Sequence, residues 1–128
     1  MDAQQELFTS LKLAIEEKGL TVYEGNLPPS KATFPFVLMA DTSQTDRATK
    51  SRSVYLSSVT QNIHVWHNES TKRGSFSKIL DDIKEVCRNL EWTNTRFSLR
   101  SLDLKILADN STSDPLMHGI IIVNYYSS

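Results

Sequence analysis

Cross-linking, tight turns and membrane insertion have little to work with in this chain of 128 residues, which has one cysteine, four glycines and four prolines. The lone Cys87 cannot make an intramolecular disulfide, and it falls among apolar helical positions, so a buried thiol in a reducing compartment is expected. So few glycines leave no phosphate cradle: neither Gly-x-x-x-x-Gly-Lys nor the nucleophile elbow Gly-x-Ser-x-Gly occurs. No stretch approaches the ~20 consecutive apolar residues of a membrane span. The start, Met1-Asp2-Ala3-Gln4-Gln5-Glu6, lacks the cationic and apolar parts of a secretory signal, so a soluble protein not exported by that route is expected. The sequons at Asn68 and Asn110 then carry no glycan. An excess of one charge is missing as well. Fourteen basic and fifteen acidic residues give a net charge of −1, which removes the overall cationic field that drives non-specific nucleic-acid binding.

What is present is patterning. From Val59 to Trp66, Val59, Ile63 and Val65 alternate with Thr60, Asn62 and His64, the period of a half-buried strand, with Gln61 as the one polar residue on the apolar side. After a polar corner at residues 67–71, Phe76, Ile79, Leu80, Ile83, Val86, Cys87 and Leu90 recur at steps of three and four, which places them on one face of a helix. Residues 2–18 make an earlier helix with Leu7, Leu11 and Ile15 on its stripe and Gly19 as its left-handed stop. Short strands are expected at residues 20–24 and from Phe34 to Met39, with Pro35 confined to a strand start or edge. Leu102, Leu104 and Ile106 alternate with Ser101, Asp103 and Lys105 in a further strand, and residues 118–126, apolar on both faces, read as a central one. Nothing divides the chain, so residues 1–128 are expected to form a single domain. The order of elements argues an α+β fold: a mainly antiparallel sheet of about five strands with two helices packed on one face.

Residues 42–53 hold no apolar side chain except Ala48 and are read as a mobile polar loop between two strands, of the kind that becomes ordered on a partner. Asp46, Arg47, Lys50 and Arg52 make it the candidate partner-binding segment. His64, Trp66 and His67 lie close together with His118 further on, but His64 and His67 point to opposite faces of a continuing strand and Cys87 faces the core, so no metal site is expected. Lys72, Arg73, Lys78, Lys84 and Arg88 are offset on the second helix by Asp81, Asp82 and Glu85, a solvated mixed face. Tyr125 and Tyr126 suit packing and interface roles at the end of a strand. No catalytic residues, cofactor or metal are expected, and the chain is not expected to be an enzyme. A small nucleic-acid-associated or protein-binding adaptor, using Arg47, Lys50, Arg52 and the helix lysines, is the alternative.

Several segments taken together resemble the small tail-completion proteins of long-tailed bacteriophages and prophages, also called tail terminators or tail-to-head joining proteins. They are the first helix ending at Lys18-Gly19, the run Val22-Tyr23-Glu24-Gly25-Asn26-Leu27-Pro28-Pro29 and the strand entry Phe34-Pro35-Phe36-Val37. A polar loop follows, then Thr60-Gln61-Asn62-Ile63-His64-Val65-Trp66 leading into the helix from Thr71 to Leu90, and a last strand ending near Tyr126. The polar segment 42–53 is a departure from that pattern. The resemblance implies a structural virion protein made in the host cytoplasm. It would form a ring, hexameric in the family picture, that caps the tail tube and meets the head connector at the head-tail interface. Its partners would be other copies of itself, the tail tube protein and the head connector protein, with neither a membrane nor specific nucleic-acid recognition.

Overall fold

The computed structural model describes residues 3–25, 35–48, 55–68, 73–90, 97–109 and 116–127. Seven elements follow one another: α1 (Ala3–Glu17), β1 (Thr21–Glu24), β2 (Phe36–Ala48), β3 (Tyr55–His67), α2 (Arg73–Arg88), β4 (Phe97–Asp109) and β5 (Leu116–Ser127). Gly19 ends the first helical segment at φ +86°, a conformation open to glycine without cost, and its N–H reaches the Glu16 carbonyl at 3.0 Å. The second helix carries the strongly segregated pattern read from its sequence: Phe76, Leu80, Ile83, Val86 and Cys87 are buried while Gly74, Ser75, Ser77 and Lys78 are exposed.

The five strands form one sheet in the order β1-β2-β3-β5-β4. β1 pairs with β2 in parallel, Thr21 opposite Phe36 and Glu24 opposite Met39; every other pairing is antiparallel. The fold is therefore α+β with a mainly antiparallel sheet. The apolar last strand lies between β3 and β4, where both its edges are paired, as its two-sided apolar pattern requires.

One buried cluster holds the domain together. It joins Leu7, Leu11 and Ile15 of α1 with the buried residues of α2 and with Val37, Met39, Val59, Ile63, Val65, Ile121, Val123 and Tyr125 of the sheet. Those strand residues share one parity on each strand, so they define one face of the sheet, here called inner. Gly119 sits on that face because nothing larger fits: a Cβ there would lie 2.9 Å from a Leu80 methyl and 3.1 Å from the Phe76 ring. Tyr125 closes the far end of the cluster by donating its hydroxyl to the Cys87 carbonyl at 2.6 Å. Burial pushes the Cys87 thiol up to about 12 from an ordinary 9.0, which makes it an inert core residue.

The segment 42–53 departs from the sequence expectation. Thr42–Ala48 is strand rather than loop, paired residue for residue with Tyr55–Gln61; Lys50 and Arg52 lie outside the described residues. The physical reason is that ladder bonds satisfy the backbone of this ribbon without help from burial, and Thr42 and Thr45 suit extended backbone. Ser43, Thr45 and Asp46 are exposed and Thr42 and Gln44 half-buried, so the ribbon never acquires the apolar alternation by which strands are recognised.

Candidate assembly surfaces

The pairing of β2 with β3 slips between Met39 and Thr42, leaving Ala40 and Asp41 as a bulge. Gln61, fully buried on the inner face, fills the gap. Its amide nitrogen donates to the carbonyls of Ala40 at 3.2 Å, Asp41 at 3.4 Å and its neighbour Asn62 at 2.9 Å, and its carbonyl oxygen accepts the Thr42 hydroxyl. The polar residue that interrupts the apolar side of β3 thus fixes the point at which the second half of β2 turns into a polar ribbon. Further along, Asp46 accepts from the Ser57 hydroxyl at 2.6 Å and from the Gln44 amide at 2.9 Å, and these two bonds hold its carboxyl below the usual aspartate range. Of the residues singled out from sequence, Asp46 is thus tied across the ribbon, and Arg47 follows it on the strand opposite Leu56.

On the outer face, the half nearest the start of β2 is aromatic. The His118 ring stacks on Trp66 with centroids 3.7 Å apart and planes 11° apart, and its Nε2 lies 2.7 Å from Nδ1 of His64. One ring nitrogen must donate and the other accept, so the pair holds a proton between them. Burial lowers the His64 pKa, with Asp41 pulling weakly the other way. Phe36 and Leu38, on the same outer side of β2 opposite Trp66 and His64, are buried too, and Tyr23 of β1 meets Phe36 edge-on at 5.6 Å. The other half of this face is polar: the Asn124 amide bridges the Ser58 and Thr60 hydroxyls at 2.9 and 2.7 Å. His67, by contrast, is buried on the inner side against Phe76, so the two histidines at this corner occupy different faces, as their spacing requires. Among the described residues no group of three or more His, Cys, Asp and Glu is placed to hold a metal ion, and no helix is long and apolar enough to cross a membrane.

Exposed apolar surface concentrates at the β4 edge. Leu104, Ile106 and Leu107 are 38–39% exposed, and Ile122 and Tyr126 stand exposed on the neighbouring strand. A second apolar groove runs between the helices, lined by Leu13, Ala14, Val86 and Leu90 and rimmed by Glu17, Lys18 and Glu85. Periodicity located these strands and helices, but it could not show which parts of an apolar face lie beyond the reach of the helices. Nor could it show that His64 and His118, far apart in sequence, meet on adjacent strands.

The arrangement defines a two-helix, five-strand α+β domain in which Gln61, Asp46 and Asn124 serve bulge repair, a ribbon tie and an outer-face ladder. The same fold is found in two solved structures of viral and virus-like origin. A chain of the virion of a native gene transfer agent particle superposes with a TM-score of 0.60 at 10% identity, covering 98% of this chain and 95% of that one. The gp17 protein of bacteriophage SPP1 superposes with a TM-score of 0.56 at 20% identity, covering 100% of this chain and 97% of that one. No protein-family model and no curated protein matches the chain.

Proposed function

We propose that this protein is a non-enzymatic structural component of a phage or prophage particle, located in the virion at the head-tail interface. It forms a closed ring, of hexameric order, that caps the tail tube and then presents a surface to the head connector. The observation that carries this reading is the end-to-end correspondence of the fold with a virion chain and with a phage protein, over nearly the full length of each. The surface features agree with it: the polar ribbon of β2 and β3 and the groove lined by Leu13, Ala14, Val86 and Leu90 of the helical segments lie at different places on the domain, which suits the unlike patches of a ring contact.

In this reading the ribbon, with Asp46, Arg47 and, further along the sequence, Lys50 and Arg52, meets the next subunit or the connector, and the exposed Ser43, Thr45 and Asp46 are covered only on assembly. Hydrogen exchange tests this directly. The amides of residues 42–48 that exchange in the free protein should slow by at least an order of magnitude in assembled tails. Equal exchange in the two states would remove the ribbon from the contact. Replacing Arg47, Lys50 and Arg52 together with alanine should leave the fold intact and impair head-tail joining.

A further inference from the structure

β4 ends the strand order, and among the described residues no strand pairs with its outer edge. Such an edge of 13 residues offers a row of backbone donors and acceptors to another strand. Its side chains sort into two rows. Leu102, Leu104 and Ile106 stand opposite Val123, Ile121 and Gly119, on the inner side; Ser101, Asp103, Lys105 and Leu107 stand opposite Asn124, Ile122, Ile120 and His118, on the outer side. The inner row continues the core outward, yet among the described residues Leu104 and Ile106 remain exposed.

We propose that this edge binds a second copy of the same chain, β4 against β4, antiparallel and centred on Leu104. The segment Leu102-Asp103-Leu104-Lys105-Ile106 is self-complementary under the two-fold axis that such a pairing creates. With Leu104 opposite Leu104 of the second copy, Leu102 meets Ile106, so the inner rows merge into one apolar strip continuous with both cores. On the outer side Asp103 meets Lys105 of the second copy and Lys105 meets its Asp103, giving two opposite-charge cross-strand pairs.

The same residues exclude neighbouring registers. Sliding the copies by two residues sets Asp103 against Asp103 in one direction and Lys105 against Lys105 in the other, while a slip of one residue turns the apolar row of one copy toward the polar row of the other. Charges on an edge strand usually repel any further strand; here their signs admit one partner in one alignment. The contact is isologous and closes at two copies, so it differs in kind from the unlike-patch contacts of a ring and stands independently of the tail-capping reading. It makes a ten-stranded sheet, two copies of the five-stranded one.

Sedimentation of the full chain over a range of concentrations, with three variants, tests it. The wild-type protein should dimerise. Asp103→Lys alone and Lys105→Asp alone each set like charges opposite one another twice and should weaken dimerisation by about tenfold or more. The combined variant D103K/K105D restores opposite charges and should recover the wild-type constant. Oxidised Leu104→Cys should be trapped as a covalent dimer, since position 104 meets itself across the axis, while Cys87, buried in the core, stays unreacted. The exposed positions leave the fold unaffected, which circular dichroism checks. A wild-type chain that stays monomeric, single reversals that associate like wild type, or a folded double reversal that fails to recover would each overturn the proposal.

Discussion

The side chain of Gln61 donates to the main-chain carbonyl of Ala40 at 3.2 Å, from a fully buried position on the inner face of the sheet. That contact supplies a donor at the point where the β2–β3 ladder breaks its register. Replacing Gln61 with leucine keeps the volume but leaves the part-buried carbonyls of Ala40 and Asp41 and the Thr42 hydroxyl without their partner. An unsatisfied buried group costs about 1–3 kcal/mol and a part-buried one, which water reaches, costs less, so Gln61→Leu should lower the free energy of unfolding by roughly 1–2 kcal/mol. Urea denaturation measures it, and a neutral result would mean that the bulge finds other partners.

Gly119 is limited by space rather than by backbone conformation. Gly119→Ala drives a methyl against Leu80 and Phe76 and should cost about 1–3 kcal/mol, with the loss read as a lower denaturant midpoint. Shortening the opposing residue in Gly119→Ala with Leu80→Val should recover part of it if the clash is with Leu80, because neighbouring changes are not additive.

His64 makes stability depend on mild acid. The His64 pKa lies below its ordinary 6.5 in the folded chain, so between that lowered value and 6.5 the unfolded chain binds more protons than the folded one. The contribution is fully present above pH 6.5 and is lost as pH falls through the folded value. Denaturation midpoints should therefore drop from pH 7.5 to pH 5, and the drop should be smaller in His64→Gln.

Alkaline pH acts on the core through Cys87. Its thiol is raised from 9.0 to about 12, so the folded chain holds the proton through a window in which the unfolded chain releases it. Stability is whole below pH 9 and falls as pH rises toward 12; Tyr125, also raised by burial, adds to the fall in the same direction. A thiol reagent at pH 8 should label Cys87 only on unfolding. Rapid labelling of the folded protein would contradict the burial.

The helices and most strands were legible because their side chains alternate with the environment. The steps of three and four from Phe76 to Leu90 and the period of two from Val59 to Val65 follow directly from which residues touch the core. Gln61 was visible as an exception without its reason, since the bulge it serves lies on another strand. Thr42–Ala48 was not legible as strand, because the pairing that fixes it is a property of the backbone and its side chains meet water or one another. The β4 sequence alternates between a polar and an apolar face, yet Leu104 and Ile106 on the apolar face are in part uncovered; burial there depends on what packs over the strand, which local periodicity does not encode. The His64–His118 contact joins residues on adjacent strands and follows only from register.

The ring on a tail tube proposed above can be seen by electron microscopy of the purified protein mixed with tail tubes. The mixture should show tubes that carry a ring of density at one end, absent from tubes alone. Tubes left bare at both ends in the presence of excess folded protein would contradict it.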